Sequence, residues 1–268
     1  MPYLELKDLE LYYEVHGEGP PFLFISETAC HGGVWKVYQV PEFSRDHRVI
    51  IYDQRGTGHS GKPSIQYTTK TLADDAAALM EHLRAEQAIV YGHSMGGRVA
   101  QLLALDYPQL VRRLILASSG ASHVSRGIPL KMCLELVEKG YERYARDHAI
   151  RIGFTEKFIR EQPERLDLYL EVRLSKLPPV ESYLRHVIAR QEHDTRGRLK
   201  DISVPTLILV GEDEHRAESD MSHRTSAEIL ARGIPNARLV VLPGEGHNYF
   251  FSSPETTNKL IRDFLRED

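Results

Sequence analysis

The stretch Ile89-Val90-Tyr91-Gly92-His93-Ser94-Met95-Gly96-Gly97-Arg98-Val99-Ala100 decides how the rest of the chain is read. It opens on β-branched and aromatic residues suited to a buried strand and closes on small apolar residues suited to a helix. Between them Gly92 and Gly96 flank Ser94 in a G-x-S-x-G pattern. So tight a passage from strand to helix leaves no room for side chains beside the serine, and the glycines let the two elements approach. Ser94 is then forced into a strained conformation with its Oγ projecting from the sheet edge. The helix that follows turns its N-terminal amides and positive dipole end toward any anion developing there. A glycine-rich turn with an incidental serine is the bland alternative, and it leaves the strand before and the Gly-x-x-Ala after unexplained.

Working outward, short apolar runs recur at residues 22–25, 49–52, 88–91, 114–117, 206–210 and 238–242, with two partly alternating segments at 3–7 and 10–16. Continuous apolar runs fit strands covered by helices on both faces. Helical spacing fills the gaps: residues 71–85, with Thr71 and Asp74 able to cap the start, then 95–107, stopped by Pro108, and 255–265 near the end. Alternation of this kind predicts an α/β fold with a doubly wound, mostly parallel, eight-stranded sheet. It fails between residues 122 and 200, where helix-like stretches at 130–145, 156–161, 164–177 and 179–191 come without a convincing strand. The expected organisation is therefore a core of residues 1–121 and 201–268 with a helical cap at 122–200. A late insertion of this kind is placed to cover the carboxyl edge of the sheet, where such folds bind ligands; an ordinary solvated helical layer is the alternative. The stretch carries 16 Lys and Arg against 12 Asp and Glu, a weak hint of an anionic substrate.

The composition sets outer limits. The 268 residues carry 34 Lys and Arg against 38 Asp and Glu, too balanced for a chain held to nucleic acid by phosphate neutralisation. At 41% hydrophobic and 27% charged residues, with aliphatic side chains throughout, disorder is excluded. Two cysteines, Cys30 and Cys133, are too few for a disulfide framework and are read as reduced thiols, with a single bridge between them as the alternative. Neither a secretion signal nor an apolar run of membrane-spanning length is visible, so a soluble, cytoplasmic protein is expected, with no membrane and no nucleic-acid partner.

At the serine motif the chain resembles the α/β-hydrolase fold family, over nearly its whole length. Asp53-Gln54-Arg55-Gly56-Thr57-Gly58-His59-Ser60 matches the family's D-x-R-G-x-G-x-S stretch, read here as a glycine turn with Asp53 and Arg55 placed to form a structural ion pair. A serine needs an adjacent base. The family takes it from a histidine after the last strand, and Leu242-Pro243-Gly244-Glu245-Gly246-His247-Asn248 supplies His247. His93, inside the elbow, should point away from the site and pack. The acid should fall between serine and histidine in the chain. In Gly211-Glu212-Asp213-Glu214-His215 the family's usual spacing lands on Glu214, while Asp is the commoner residue and Asp213 stands one step earlier, so both stay open.

By the same resemblance the oxyanion donors are the backbone N–H groups of Met95 and Thr28. Ser26-Glu27 stand where the family usually has His-Gly, as in enol-lactonase-like members, which also lack that pair. His31-Gly32-Gly33 mimics it but lies too close to the helix start. Glu27 beside an oxyanion has no account from sequence. Serine at the elbow excludes the dehalogenase and epoxide-hydrolase branches, which place a carboxylate there. No zinc-type ligand spacing or phosphate-cradling loop is present, so neither metal nor cofactor is expected. The resemblance implies a serine hydrolase of a small carboxylic ester or lactone, with a carbon–carbon bond hydrolase or a ligand receptor on the same scaffold as alternatives.

Overall fold

The computed structural model describes residues 2–123, 127–213 and 222–267. Its strands are β1 (Tyr3–Leu6), β2 (Leu9–His16), β3 (Pro21–Ile25), β4 (Arg48–Tyr52), β5 (Ala88–His93), β6 (Val111–Ala117), β7 (Thr206–Gly211) and β8 (Ala237–Leu242). They form one eight-stranded sheet in the order β1-β2-β4-β3-β5-β6-β7-β8. β1 with β2 and β2 with β4 pair antiparallel, and every later pairing is parallel. The helices are α1 (Gln39–Phe43), α2 (Thr69–His82), α3 (Met95–Asp106), α4 (Leu130–Lys139), α5 (Tyr141–Gly153), α6 (Glu156–Glu161), α7 (Pro163–Leu174), α8 (Val180–Glu192), α9 (His223–Gly233), α10 (Tyr249–Ser252) and α11 (Pro254–Leu265).

The apolar runs are continuous because both faces are buried. Alternate residues of each central strand enter opposite cores: Leu23, Ile50, Leu114, Leu116, Ile208 and Val210 join one with α2, α3 and α9. Phe22, Phe24, Val49, Ile51, Ile115 and Leu209 join the other with α1, α10 and α11. A strand whose two faces are both dry has no polar positions to alternate with, which is why its sequence reads as a block.

Three local expectations are corrected. The second helix starts before Thr71, because Thr68 Oγ1 accepts the Thr71 N–H at 3.0 Å and is the cap. The helix expected over 130–145 is two, since Gly140 takes φ 75° and ends α4. Asp53 and Arg55 do not pair. Arg55 Nε and Nη2 donate to the buried Asp75 at 2.6 and 2.7 Å, and Nη1 donates to Asp8 at 2.9 Å. Asp53 accepts instead from the Gly32 and His59 amides, both at 2.7 Å, so it ties the loop after β3 to the glycine turn after β4.

Helices α4 to α8 all lie between β6 and β7. The segment leaves and returns at one place: Ser122 bridges Asp194, and the Thr195 N–H donates to Ala121 O at 2.8 Å. Cys30 is buried, Cys133 partly so, and both are free thiols. Among the described residues no helix is long and apolar enough to cross a membrane.

Candidate active site

Ser94 follows β5 with φ 53° and ψ −115°, a conformation that non-glycine residues rarely adopt. Its N–H donates to Ala117 O at 2.8 Å, and its carbonyl accepts from Ser119 Oγ at 2.7 Å and from the Gly97 N–H at 3.1 Å. These bonds hold the strained turn from both sides. The glycine requirement is steric: a Cβ on Gly92 would sit 2.4 Å from Gly96 O, and one on Gly96 would sit 2.3 Å from Ile25 O. The Met95 N–H is the first amide of α3, which has no intrahelical acceptor.

His247 lies in the loop after β8 and is buried. Its carbonyl accepts from Ser118 Oγ at 3.1 Å, and the next amide, Asn248 N–H, donates to Gly153 O at 2.8 Å. Glu245 in the same loop accepts from the hydroxyls of Ser252, at 2.7 Å, and Ser253. Two further rings pack on His247: His93 at 4.9 Å and His223 at 4.7 Å between centroids. His93 is fully buried, donates from Nε2 to Asn248 Oδ1 at 3.2 Å and does not line the cavity. It packs, as its place in the elbow suggested, although against the histidine rather than away from it.

The loop after β7 presses on this histidine loop: a Cβ on Gly211 would meet Glu245 O and Gly246 O at 2.4 Å, and the Asp213 N–H donates to Glu245 O at 2.9 Å. The Asp213 side chain is exposed and makes no hydrogen bond or ion pair with the described residues. Glu214 lies outside the described residues.

The loop after β3 carries Glu27 and Thr28. Glu27 Oε1 accepts from Tyr169 Oη at 2.9 Å and from Arg173 Nε at 3.1 Å, both on α7. The other nitrogens of Arg173 donate to Ala29 O at 3.2 Å and Thr28 O at 3.1 Å. One cation therefore neutralises Glu27 and grips the two peptides beyond it. Burial works against the carboxylate, but Arg173, His93, His247 and the Tyr169 hydroxyl together outweigh it and hold Glu27 below the usual carboxylate range. Tyr169 Oη also accepts from Asn248 Nδ2 at 2.8 Å, so the polar chain runs on to the histidine loop. Glu27, His93 and His247 each place one metal-ligating atom within 4.8 Å of the others. These donors suit a cation poorly, because Glu27 is already bound by Arg173 and the His93 Nε2 by Asn248.

Thr28, Ser94 and His247 line one cavity, together with Glu27, Arg173, Tyr169 and residues of α5 and α8. Met95, the residue after Ser94, is fully buried. Counting the open solvent at its mouth, the empty space is about 620 Å³. Its protein walls come from the carboxyl ends of β3, β5 and β8 on one side and the helical insertion on the other.

His186 of α8 fastens the two sides. Its Nε2–H donates to Arg55 O at 2.8 Å and its Nδ1 accepts the Ala29 N–H at 3.3 Å, which fixes the neutral ring in one tautomer. Burial, with Arg173 and Arg55 adding to it against the pull of the Arg55 carbonyl, pushes its pKa down to about 4. The unfolded chain therefore takes up a proton near pH 6.5 that the native ring refuses, so stability present above that pH is lost as pH falls toward about 4. His148 and His193, each pushed down to about 3, act in the same direction. Unfolding free energies from urea titrations are expected to fall steadily between about pH 6.5 and 4.5, by up to about 1.4 kcal/mol per pH unit for each buried histidine. His186→Gln should flatten that slope; an unchanged slope would refute the assignment.

Strand order, a strained serine after the central strand and a histidine after the last one define an α/β hydrolase. The comparisons with known proteins agree. Residues 20–155 match the family model described as the alpha/beta hydrolase fold, and the chain belongs to that family. A protein of Azorhizobium caulinodans named as a carbamate hydrolase, RutD, is 30% identical and covers 100% of this chain and 99% of its own. Among solved structures, the enol-lactonase from Burkholderia xenovorans LB400 superposes with a TM-score of 0.86 at 26% identity, over 99% of this chain and 100% of that one. A thermophilic esterase from Thermogutta terrifontis gives 0.81 at 30% identity, over 96% and 93%.

Proposed function

We propose that this protein is a cofactor-independent serine hydrolase of carboxylic esters or lactones. The observation that carries the reading is Ser94, held at φ 53° after β5, lining one cavity with the buried His247. His247 removes the Ser94 Oγ proton as the hydroxyl attacks the carbonyl carbon. The resulting oxyanion is held by the N–H groups of Thr28 and Met95, which stabilise charge that exists only in the transition state and intermediate. His247 returns the proton to the leaving oxygen, and water attacks the acyl-enzyme by the same route. The acid comes from the loop after β7. Its place against the histidine loop supports this, and the solvent-facing Asp213 carboxylate favours Glu214 for the role. The acid orients the imidazole and stabilises its cation. The insertion over 122–200 serves as the cap that shapes the pocket, and the similarity to an enol-lactonase and an esterase supports ester or lactone substrates.

A fluorophosphonate probe is expected to label one residue, Ser94, as located by peptide mass spectrometry, and to stop hydrolysis of p-nitrophenyl acetate in proportion. Labelling without turnover of any ester would point to a receptor. No labelling, or labelling elsewhere, would sink the reading.

A further inference from the structure

Three polar groups of the helical insertion line this cavity with nothing to bond to. Tyr141 Oη, His148 Nδ1 and Arg190 Nε are buried and have no hydrogen-bond partner among the described residues. Their neighbours on the same wall are engaged: Arg173 is bound to Glu27, and Tyr169 to Glu27 and Asn248. Arg190 forms no ion pair among the described residues, so the cavity's charges are Glu27 and Arg173, which cancel, and Arg190, which is left over. A buried cation, Arg98 of α3, adds to its field; burial, then Arg190, lowers the Arg98 pKa to about 9. His148 remains neutral, its pKa pushed down to about 3 by burial and then by Arg190 and Arg151.

Buried donor atoms without an acceptor are costly, and a guanidinium in a cavity without a counter-ion adds to that cost. Both costs vanish together if the occupant brings one negative charge spread over oxygens. A guanidinium with a phenol and an imidazole beside it matches a carboxylate, whose two oxygens accept several hydrogen bonds. A doubly charged phosphate fits less well, because one unpaired guanidinium balances one negative charge and leaves the second uncompensated.

We propose that Arg190, with Tyr141 and His148, binds a carboxylate of the substrate, so that the preferred substrate is an ester or lactone carrying a second, ionised carboxyl group. The proposal rests on the hydrolase reading for the position of the scissile bond, and its test separates the two. Calorimetry on Ser94→Ala protein would compare the monomethyl with the dimethyl esters of succinate, glutarate and adipate. The best half-ester is expected to bind at least about tenfold more tightly than its neutral diester. Arg190→Gln should reduce that ratio to about twofold or less, and Arg190→Lys should keep much of it, since it retains the charge. Equal binding of the two forms, no measurable binding of any half-ester, or a preference that survives Arg190→Gln would overturn the proposal. Turnover of p-nitrophenyl acetate by the unaltered protein decides the hydrolase reading independently: a charge preference without turnover upholds the carboxylate site and removes the chemistry.

Discussion

Ser94→Ala is expected to lower kcat for p-nitrophenyl acetate by about ten-thousand- to million-fold, while thermal stability hardly changes. The two halves of that expectation have separate causes. On the proposed mechanism the hydroxyl oxygen becomes covalently bonded, so its removal leaves only binding and oxyanion stabilisation. Its side chain is half-buried and forms no hydrogen bond with the described residues, whereas the backbone bonds to Ala117, Ser119 and Gly97 remain. Ser94→Gly should be equally inactive yet more stable, by about 1 kcal/mol, because glycine adopts φ 53° without strain. Adding His247→Ala to Ser94→Ala should cost almost nothing further, since serine and histidine act as a unit. Ser94→Ala retaining a tenth of the activity, or additive losses in the double variant, would refute the assignment.

The sequence made the serine and histidine side of this cavity legible and left the wall from the helical insertion opaque. The elbow could be read because its chemistry is local: a strand, two glycines within four residues and a helix admit one backbone path. His247 could be found for a similar reason, through glycines on both sides of Glu245 after a strand. Arg190 and Arg173 carry no such mark. Each is one of many arginines on amphipathic helices, and which one turns inward depends on how α5, α7 and α8 pack, a matter of tertiary contacts that no spacing encodes. Asp53 and Arg55 failed as a pair for the same reason: adjacency in the chain suggested a bond, but the partners that satisfy Arg55 arrive from α2 and the turn between β1 and β2. Glu27 was legible only as an anomaly. Its meaning came from Arg173, 146 residues away in the chain.

Arg173→Met should destabilise the protein by about 3–5 kcal/mol at neutral pH, because it strands a buried carboxylate. The Glu27 and Arg173 side chains are only 14% and 11% exposed, so solvent cannot replace the lost partner. The Glu27 contribution to the pH dependence should also change sign. In the unaltered protein Glu27 is held below its ordinary pKa, so its contribution is present above the unfolded value and lost as pH falls through the folded one. Without Arg173 the burial that already opposes ionisation dominates and lifts the folded pKa above the unfolded value. The Glu27 contribution is then greatest in acid and is lost as pH rises through the new value, on top of the unchanged loss from the buried histidines as pH falls. Glu27→Gln in the Arg173→Met background should recover most of the loss, giving a coupling of about 2 kcal/mol or more in a double-mutant cycle. Activity should not return with it, since the carbonyls of Thr28 and Ala29 still lack the guanidinium that holds this loop; kcat is expected to stay about ten- to a hundredfold low, with KM for p-nitrophenyl acetate changed far less. Urea unfolding of the four proteins at about pH 5 and pH 8, with kcat and KM measured on each, checks both parts. A coupling energy near zero would show that Glu27 does not depend on Arg173, and full recovery of kcat in the double variant would show that the grip on Thr28 does not matter to the chemistry.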